Sequence, residues 1–263
     1  MTIVPVATAQ MSRSGFSIAP TASISEIEGS DESAGWRFEV APYLWAAGLN
    51  GRVGVLGQTA DVDVSFREIL KDLDFAIMLP AELRRGRWGI GAEVIYIKVS
   101  KDAAVPRPPV TDIDFEASQL LLELSPRYRV ITRRAWAIDA LAGVRFMSID
   151  PTLTIEPQQL EFGKRRSWAD PIVGASLIAD VGRHWLGRVR ADIGGFGVGS
   201  RLTWQALAVA GYRISNRVAL AAGYRYLDMD YENGDDAFLY DVATRGPLLG
   251  VVIAFGAPVS RIR

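Results

Sequence analysis

The sequence predicts an all-β fold, an antiparallel up-and-down transmembrane β-barrel of about ten strands. Apolar and polar residues alternate, the alternating runs exceed the roughly five or six residues of a typical strand, and short turns alternate with longer links. In residues 185–193, Trp185, Val189 and Ile193 share one face, whereas Arg188 and Arg190 share the other. A tilted strand crosses a membrane in about 9–11 residues. A barrel in lipid has an apolar outer face and a polar interior, which is the pattern observed.

The composition excludes several classes of protein. The chain has 263 residues and a formal net charge of −1, which disfavours a nucleic-acid binder because such proteins carry a basic excess. It contains no cysteine, so disulfides, thiolate metal sites and a cysteine nucleophile are excluded. No apolar run reaches the roughly 18 residues of a transmembrane helix. Strands are therefore the predicted means of crossing a membrane.

Residues 1–34 are predicted to be a truncated signal remnant and a disordered leader. Residues 35–263 are predicted to form an outer-membrane barrel with a short C-terminal tail. Residues 21–34 are rich in Ser, Glu, Gly and Asp without an apolar period, which is typical of disorder. Ala7-Thr8-Ala9 matches a signal-peptide cleavage pattern, so we expect a signal peptide that starts upstream of Met1. The alternative is a chance alanine pair in an unstructured tail.

The first strands are separated by a predicted helix. Residues 36–45 alternate as a strand, and residues 53–66 predict a hairpin that turns at Gly57-Gln58. Ser65 and Glu68 have the spacing of a helix capping box, so one or two helical turns should lie within 65–73. Counting 53–73 as an outer excursion gives ten strands, whereas counting its pieces as full strands gives twelve; eight is a further alternative.

The same alternation predicts the remaining strands. They are expected at 73–84, 88–99, 113–130, 136–146, 168–181, 185–193, 202–214, 217–228 and 246–255. Tight turns are predicted at 85–87, 132–134, 183–184 and 215–216, and long loops at 101–110, 150–166 and 228–241. Because such barrels have short periplasmic turns and longer outer loops, we assign the tight turns to the periplasm.

Four tryptophans open strands at a spacing of about fifty residues: Trp36, Trp88, Trp136 and Trp185. The last three directly follow a short basic turn. Tryptophan favours a membrane interface, where its ring is apolar and its N–H stays hydrated. The four are therefore predicted to form one aromatic girdle. The alternative is that each simply closes the end of a soluble barrel.

The opposite face of the strands carries charges of both signs. The predicted lumen-lining residues are Arg37, Glu39, Glu82, Arg84, Glu93, Glu123, Arg127, Arg129, Asp139, Arg145, Asp170, Asp180, Arg188, Arg190, Asp192, Arg213 and Arg225. Their near balance predicts internal ion pairing, because a buried unpaired charge is costly. A barrel of about ten strands is also narrow and largely filled by side chains. A charge-paired structural interior is favoured over a narrow pore.

Three other motifs are discounted. The Gly195-x-Gly197-x-Gly199 pattern is followed by a strand, whereas a phosphate loop needs a helix N-terminus. The acidic residues at 228–236 resemble a calcium loop, but the glycine that such a loop requires is misplaced. His184 is the only histidine and lies in a tight turn, away from the loops where a hydrolase would need it. No catalytic residue, metal site or cofactor is predicted, and the protein is not expected to be an enzyme.

Several short segments are familiar as a set. They are Ala41-Pro42-Tyr43-Leu44-Trp45, Asp61-Val62-Asp63-Val64-Ser65-Phe66, Arg85-Gly86-Arg87-Trp88-Gly89, the glycine-rich 194–200, Leu202-Thr203-Trp204-Gln205 and Gly223-Tyr224-Arg225-Tyr226-Leu227. Together, from about Trp36 to Phe255, the chain resembles a widespread group of uncharacterised, porin-like outer-membrane β-barrel proteins of Gram-negative bacteria. The resemblance implies a fold and an outer-membrane location but no established activity. A terminal apolar strand ending in Phe255 also resembles the signal read by the barrel-assembly machinery, although here residues 256–263 follow it.

The predicted function is that of a bacterial outer-membrane barrel, either a narrow porin-like pore for small solutes or a structural barrel with a charge-paired lumen. Two alternatives stay open: a soluble lipocalin-like ligand-binding barrel, and an outer-membrane barrel that acts in adhesion or interaction through its loops. The expected partners are outer-membrane lipid, lipopolysaccharide and the barrel-assembly machinery, without nucleic acid. The sequence makes no prediction about oligomeric state.

Overall fold

The computed structural model describes residues 35–55, 58–107, 110–156, 160–234 and 238–256. The predicted leader at 1–34, the turn at Gly57, the prolines at 108 and 109, and the tail at 257–263 lie outside this part. A helix, α1, spans Phe66–Lys71. The strands are β1 (Arg37–Val40), β2 (Tyr43–Trp45), β3 (Gly48–Val55), β4 (Gln58–Val64), β5 (Leu73–Arg85), β6 (Trp88–Arg107), β7 (Val110–Thr132), β8 (Trp136–Glu156), β9 (Leu160–Phe162), β10 (Arg166–Val181), β11 (Trp185–Gly195), β12 (Leu202–Arg213), β13 (Val218–Asn233) and β14 (Phe238–Gly256).

These segments form a closed barrel of ten antiparallel strands. β1 closes it by pairing with β5 on one side, through Arg37 and Arg84, and with β14 on the other, through Phe38 and Phe255. β1, β2 and β3 run along β14 as one interrupted barrel strand. β4, α1 and β5 make up the second barrel strand beside it. The predicted count of ten strands is confirmed, and the counts of twelve and eight are excluded.

The predicted helix is also confirmed, and its cap forms as the sequence indicates. The backbone N–H of Glu68 donates to Ser65 Oγ at 3.4 Å, and the backbone N–H of Ser65 donates to Glu68 Oε2 at 2.8 Å. This reciprocal pair satisfies two N–H groups that a helix start leaves without intrahelical partners. Because α1 buries none of its side chains, the cap is its main local source of stability.

Three segments predicted as long loops instead contain paired strands. β6 continues to Arg107 and β7 begins at Val110, within the predicted loop 101–110. β8 continues to Glu156 and pairs with β9, within 150–166. β13 and β14 pair as far as Asn233 and Phe238, within 228–241. These loop predictions are wrong because an antiparallel strand tolerates charged side chains on a face that meets water, so acidic residues there do not end a strand.

The connections between strands are therefore short at one end of the barrel and long at the other. The turn end carries the tight connections at 86–87, 133–135, 182–184 and 214–217, and the hairpin end carries the extended β6–β7, β8–β10 and β13–β14 hairpins. The predicted strand at 88–99 is thus the lower part of a longer strand. This asymmetry is what barrels with short periplasmic turns and longer outer hairpins show.

Two prolines interrupt the ladders on either side of the first barrel strand: Pro80 on the side of the second barrel strand and Pro42 on the side of β14. The Ala41 N–H donates to the Pro80 carbonyl oxygen at 2.9 Å. In a strand, the nitrogen and carbonyl of one residue point to the same side, so Pro80 faces the first strand with a nitrogen that has no hydrogen to donate. The carbonyl oxygen of Pro42 accepts from the Val251 N–H on β14. The Pro42 nitrogen therefore faces β14, and it also has no hydrogen to donate. Ladder pairing between the two barrel strands resumes at Leu49 and Val64, with α1 beside the interruption.

The outer face is apolar over a band and polar beyond it. On β13, Leu220 and Tyr224 face outward and are about half exposed. The same face continues with Asp228, Asp230 and Glu232 toward the hairpin end. The apolar part of the strand, 218–226, is close to the about 9–11 residues that a tilted strand needs to cross a membrane. No helix in the described part of the chain is long and apolar enough to span a membrane.

Candidate functional site in the barrel interior

The middle of the lumen holds a neutral group of four charges, which we call the middle cluster: Glu123, Arg145, Arg190 and Asp192. Arg145 Nη2 donates to Glu123 Oε2 at 2.9 Å and to Asp192 Oδ1 at 2.7 Å. Arg190 Nη2 contacts the same two carboxylates at 2.5 and 2.8 Å. All four are almost fully buried. The pairing of two cations with two anions offsets the desolvation cost that each charge would carry alone.

Arg225 makes a second interior contact set, on the β14 side of the lumen. Its Nη1 donates to Glu93 Oε1 and to Tyr43 Oη, both at 2.8 Å. Tyr43 Oη in turn donates to the same Glu93 oxygen at 2.7 Å. The Arg225 guanidinium also lies 5.0 Å from the ring centre of Trp45, a cation–π distance. These contacts fix Tyr43, Glu93 and Arg225 as one unit beside the middle cluster.

Nearer the turn end lies a larger group, which we call the turn-end cluster: Glu82, Arg84, Arg127, Arg129, Asp139 and Arg188. Glu82 accepts from Arg84 Nε at 3.0 Å, from Arg127 Nη1 at 2.7 Å and from Arg188 Nη2 at 3.1 Å. Asp139 accepts from Arg129 Nε at 2.9 Å and from Arg84 Nη2. The Arg188–Glu82 contact joins residues 106 apart in the sequence, so the cluster ties together strands that are not neighbours.

The remaining predicted lumen residues also lie inside the barrel. Arg37 Nε is 3.5 Å from Glu39 Oε1, and Arg213 pairs with Asp180, both near the turn end. Asp170 lies higher, where its Oδ1 accepts from the Ser200 backbone N–H at 2.6 Å. Of the seventeen residues predicted to line the lumen, ten are buried and seven are half-buried, and most of them take part in ion pairs.

A layer that the sequence reasoning missed fills the lumen above these charges. This apolar layer consists of Trp45, Met78, Ile95, Leu121, Met147, Trp168, Leu227 and Met229, all less than one tenth exposed. Trp168 stacks on Tyr231 with ring centres 4.1 Å apart, and Tyr240 and Phe238 extend the layer toward the hairpin end. The lumen therefore contains charged pairs below and is packed with apolar side chains above.

The sequence does contain a signal for this layer. Ile95 and Leu121 lie two positions from Glu93 and Glu123, on the same inward face, and Leu227 follows Arg225 in the same way. Continuing the period of two past each inward charge shows the inner face becoming apolar. On β13, the outer face becomes acidic at the same level. Beyond the apolar band, the inner face of the strand is therefore apolar and the outer face is polar, as in a soluble barrel.

The four strand-opening tryptophans lie on the outer face at the turn end. Trp36, Trp88 and Trp185 are more than half exposed and Trp136 is 37% exposed. Arg85 lies with its guanidinium carbon 5.6 Å from the centre of the Trp36 ring. Trp88 and Trp185 pack against outward tyrosines of the neighbouring strands. This position at one level of the wall is the one that a girdle requires.

The outer surface at the hairpin end is held by exposed ion pairs. Arg201 Nη2 contacts Asp230 at 2.7 Å, and Arg201 Nη1 contacts Glu232 at 3.1 Å. Hydrogen bonding to Asp230 raises the pKa of Arg201. Part of the acidic segment that resembled a calcium loop is thus paired with arginine. The residues that the structure describes contain no group of side chains suited to hold a metal ion.

A cavity of about 170 Å³ opens within the charged part of the lumen. Arg127 and Arg188 of the turn-end cluster line it, together with Glu39, Arg225 and Gln205. Small residues of the interrupted wall, including Ala41 and Pro80, line the opposite side. Such a volume has room for on the order of ten water molecules, whereas the apolar layer above it is packed. His184 lies outside this site, in a tight turn where its ring stacks on Tyr212.

Solved structures similar to this chain are outer-membrane β-barrels. The outer membrane protease OmpT from Escherichia coli matches with a TM-score of 0.50 and 7% identity, over 85% of this chain and 98% of its own. The translocator domain of autotransporter NalP from Neisseria meningitidis matches with a TM-score of 0.42 and 10% identity, over 87% and 92%. Neisserial surface protein A matches with a TM-score of 0.36 and 12% identity, over 84% and 99%.

At these identities the similarity to OmpT concerns the fold. No protein-family model matches the chain, and no curated protein matches its sequence. The resemblance to the porin-like group and the expected lack of enzyme activity therefore stay predictions.

Proposed function

We propose that the protein is an outer-membrane β-barrel whose lumen is closed at rest, and that it serves as a structural barrel holding its long hairpins above the membrane. Outer-membrane lipid, lipopolysaccharide and the barrel-assembly machinery are its expected partners. The apolar outer band supports membrane insertion, because exposed apolar patches of this extent are rare on soluble monomers.

The observation that carries the proposal is the packed apolar layer that lies above the charged layer in the lumen. Arg145 and Asp139 in the charged layer are fully buried, and Leu121 and Met147 in the apolar layer are 1% exposed. Ion flow needs a continuous hydrated path, and an apolar constriction excludes water. The cavity therefore ends below the apolar layer, which favours a structural barrel over a narrow porin-like pore.

The soluble lipocalin-like alternative is less well supported. Such a barrel buries apolar residues inside and exposes charge outside along its whole length. This chain has that arrangement only at the hairpin end, whereas at the turn end the charges are inside and residues such as Leu83, Ile90 and Val189 are outside. Requirement for detergent separates the alternatives, because a lipocalin-like barrel would stay monomeric without it.

Planar-bilayer recording on the refolded full-length protein tests the closed lumen. We expect no stable conductance steps in concentrated potassium chloride, after heat-modifiable gel mobility has shown that the barrel is folded. Trp168→Ala should produce conductance, because it removes one of the two tryptophans that are the largest side chains of the apolar layer. Trp204→Ala is the matched control, since Trp204 lies on the outer face and its loss leaves the lumen filled. Steady conductance of the unmodified protein would show that the lumen is open.

A further inference from the structure

The turn-end cluster is not electrically balanced. Its four arginines, Arg84, Arg127, Arg129 and Arg188, surround two carboxylates, Glu82 and Asp139, which leaves two positive charges in excess. The neighbouring pairs Arg37–Glu39 and Arg213–Asp180 are each neutral, as is the middle cluster. An excess of buried positive charge is costly unless an anion compensates it.

Two buried arginines of this cluster also have donors without partners. Arg84 Nη1 and Arg127 Nε are buried and make no hydrogen bond within the described protein, and the two residues are only 4% and 7% exposed. A buried guanidinium donor without an acceptor carries a desolvation penalty. Arg127 lines the 170 Å³ cavity together with Arg188, so space for an acceptor lies directly beside the cluster.

The barrel wall is shaped around these arginines. Gly91 and Gly89 lie on the inner face of β6, opposite Glu82 and Arg84 in the ladder. A Cβ at Gly91 would clash with the Arg127 guanidinium, and a Cβ at Gly89 would lie 3.4 Å from the Arg84 guanidinium carbon. Glycine at both positions therefore leaves the room that the two guanidinium groups occupy.

The turns that surround the lumen at the turn end are also positively charged. The turn end carries Arg85 at the end of β5 and Arg133, Arg134, Arg183 and Arg217 in its turns, all exposed, and these turns contain no acidic residue. A cleft or mouth lined by one sign of charge raises the local concentration of ligands of the opposite sign. The mouth and the cluster beneath it therefore favour the same class of ligand.

We propose that the turn-end cluster is a binding site for a small oxyanion with two or more acceptor oxygens, such as inorganic phosphate or a short dicarboxylate, which enters from the turn end. Guanidinium groups recognise such oxygens through paired N–H donors. The anion accepts from Arg127 and Arg188 at the cavity wall and offsets the excess charge of the cluster. The apolar layer stops it from passing through the barrel, so the site binds a ligand on one side of the membrane.

Isothermal titration calorimetry on the refolded full-length protein at low ionic strength tests the site, with phosphate and succinate as separate probes and chloride as reference. We expect saturable binding of one anion per barrel for phosphate, succinate or both, and the stronger of the two identifies the ligand class. If phosphate and succinate each produce only the heat that chloride produces, the cluster binds an adventitious ion only and the proposal is overturned. Absence of saturation with both probes would overturn the proposal.

Two variants separate a built site from general attraction at the mouth. Arg188→Gln should weaken binding at least about tenfold, because it removes one donor and one charge from the cluster. Arg213→Gln removes the same charge at the same end of the lumen but outside the cluster, and should change the affinity by less than about threefold. Equal weakening by both variants would contradict the site.

A third variant tests the charge excess directly. Asp139→Asn keeps the side-chain shape and raises the excess from two charges to three, so anion affinity should rise. A purely structural role for the cluster predicts no rise in affinity. Heat-modifiable mobility shows whether this variant folds; if it does not, Arg188→Gln decides alone, because the Arg188 side chain is 29% exposed and its loss leaves Glu82 paired with Arg84 and Arg127.

Discussion

Neighbouring positions on β11 offer a direct test of the two faces of the wall. Val189 faces outward and is 52% exposed, between Leu177 on β10 and Ala208 on β12. Arg188 faces the lumen, where it donates to Glu82 at 3.1 Å. We expect Val189→Arg to impair membrane insertion far more than Arg188→Val.

The magnitude follows from the depth of Val189 in the apolar band. Val189 lies four residues beyond the girdle residue Trp185. At about 3.3 Å per residue and a strand tilt of about 40°, this is about 10 Å above the girdle, near the middle of a band about 25 Å tall. An arginine facing lipid at the midplane costs about 2–4 kcal/mol.

Arg188→Val should cost much less. It removes one of the four arginines that share two carboxylates, so it relieves repulsion among like charges while Glu82 keeps contacts with Arg84 and Arg127. The two positions are adjacent, so depth in the membrane is nearly the same. The comparison therefore tests only which face of β11 contacts lipid.

Heat-modifiable gel mobility after refolding into lipid vesicles measures the folded fraction of each variant, and Val189→Ala serves as control for loss of the valine itself. We expect the folded fraction to fall strongly for Val189→Arg alone. If both variants fold equally well, or Arg188→Val folds worse, then the outer face of β11 does not contact lipid and the reasoning is refuted.

Three further predictions concern the interior, the helix and the orientation. Trp168→Ala should lower the free energy of unfolding by about 3–5 kcal/mol, measured by urea titration in vesicles; a loss below about 1 kcal/mol would mean that the apolar layer is not packed. Hydrogen bonds from Ser65 lower the pKa of Glu68 below 4.5. The cap therefore stabilises α1 above the ordinary carboxylate pKa, and this stability is lost as pH falls through the lowered pKa. A spin label in α1 should become mobile in that acidic range, whereas in Ser65→Ala it should be mobile at every pH. Because the chain has no cysteine, single cysteines at Glu232 and Arg183 can be labelled in intact cells with an impermeant thiol reagent; labelling at Glu232 alone is expected, and labelling at Arg183 alone would invert the orientation.

The loop predictions show how far local signals reach. Prolines at 101–110 and acidic residues at 228–241 indicate that the chain is leaving the membrane, and that part of the inference agrees with the change of polarity on β13. They do not indicate the end of pairing, because backbone pairing depends on the neighbouring strand. β13 continues to Asn233 because β14 lies beside it as far as Phe238. The residues of β13 alone do not indicate how far its neighbouring strand extends.

The sequence by itself determined the ten-strand barrel and the capped helix, and it predicts an inward face for each strand. Alternation with a period of two is a property of consecutive residues, and Ser65 and Glu68 are three residues apart, so these features can be read along the chain. The tertiary structure decided which charges meet. The partners Glu82 and Arg188, or Glu93 and Arg225, lie 106 and 132 residues apart and meet across the lumen. Which inward residues come to the same level depends on the stagger of all ten strands, and alternation fixes the face of a residue but not its height. The excess of two positive charges at the turn end follows from that stagger, and so does the meeting of the inward apolar residues at one level above the middle cluster.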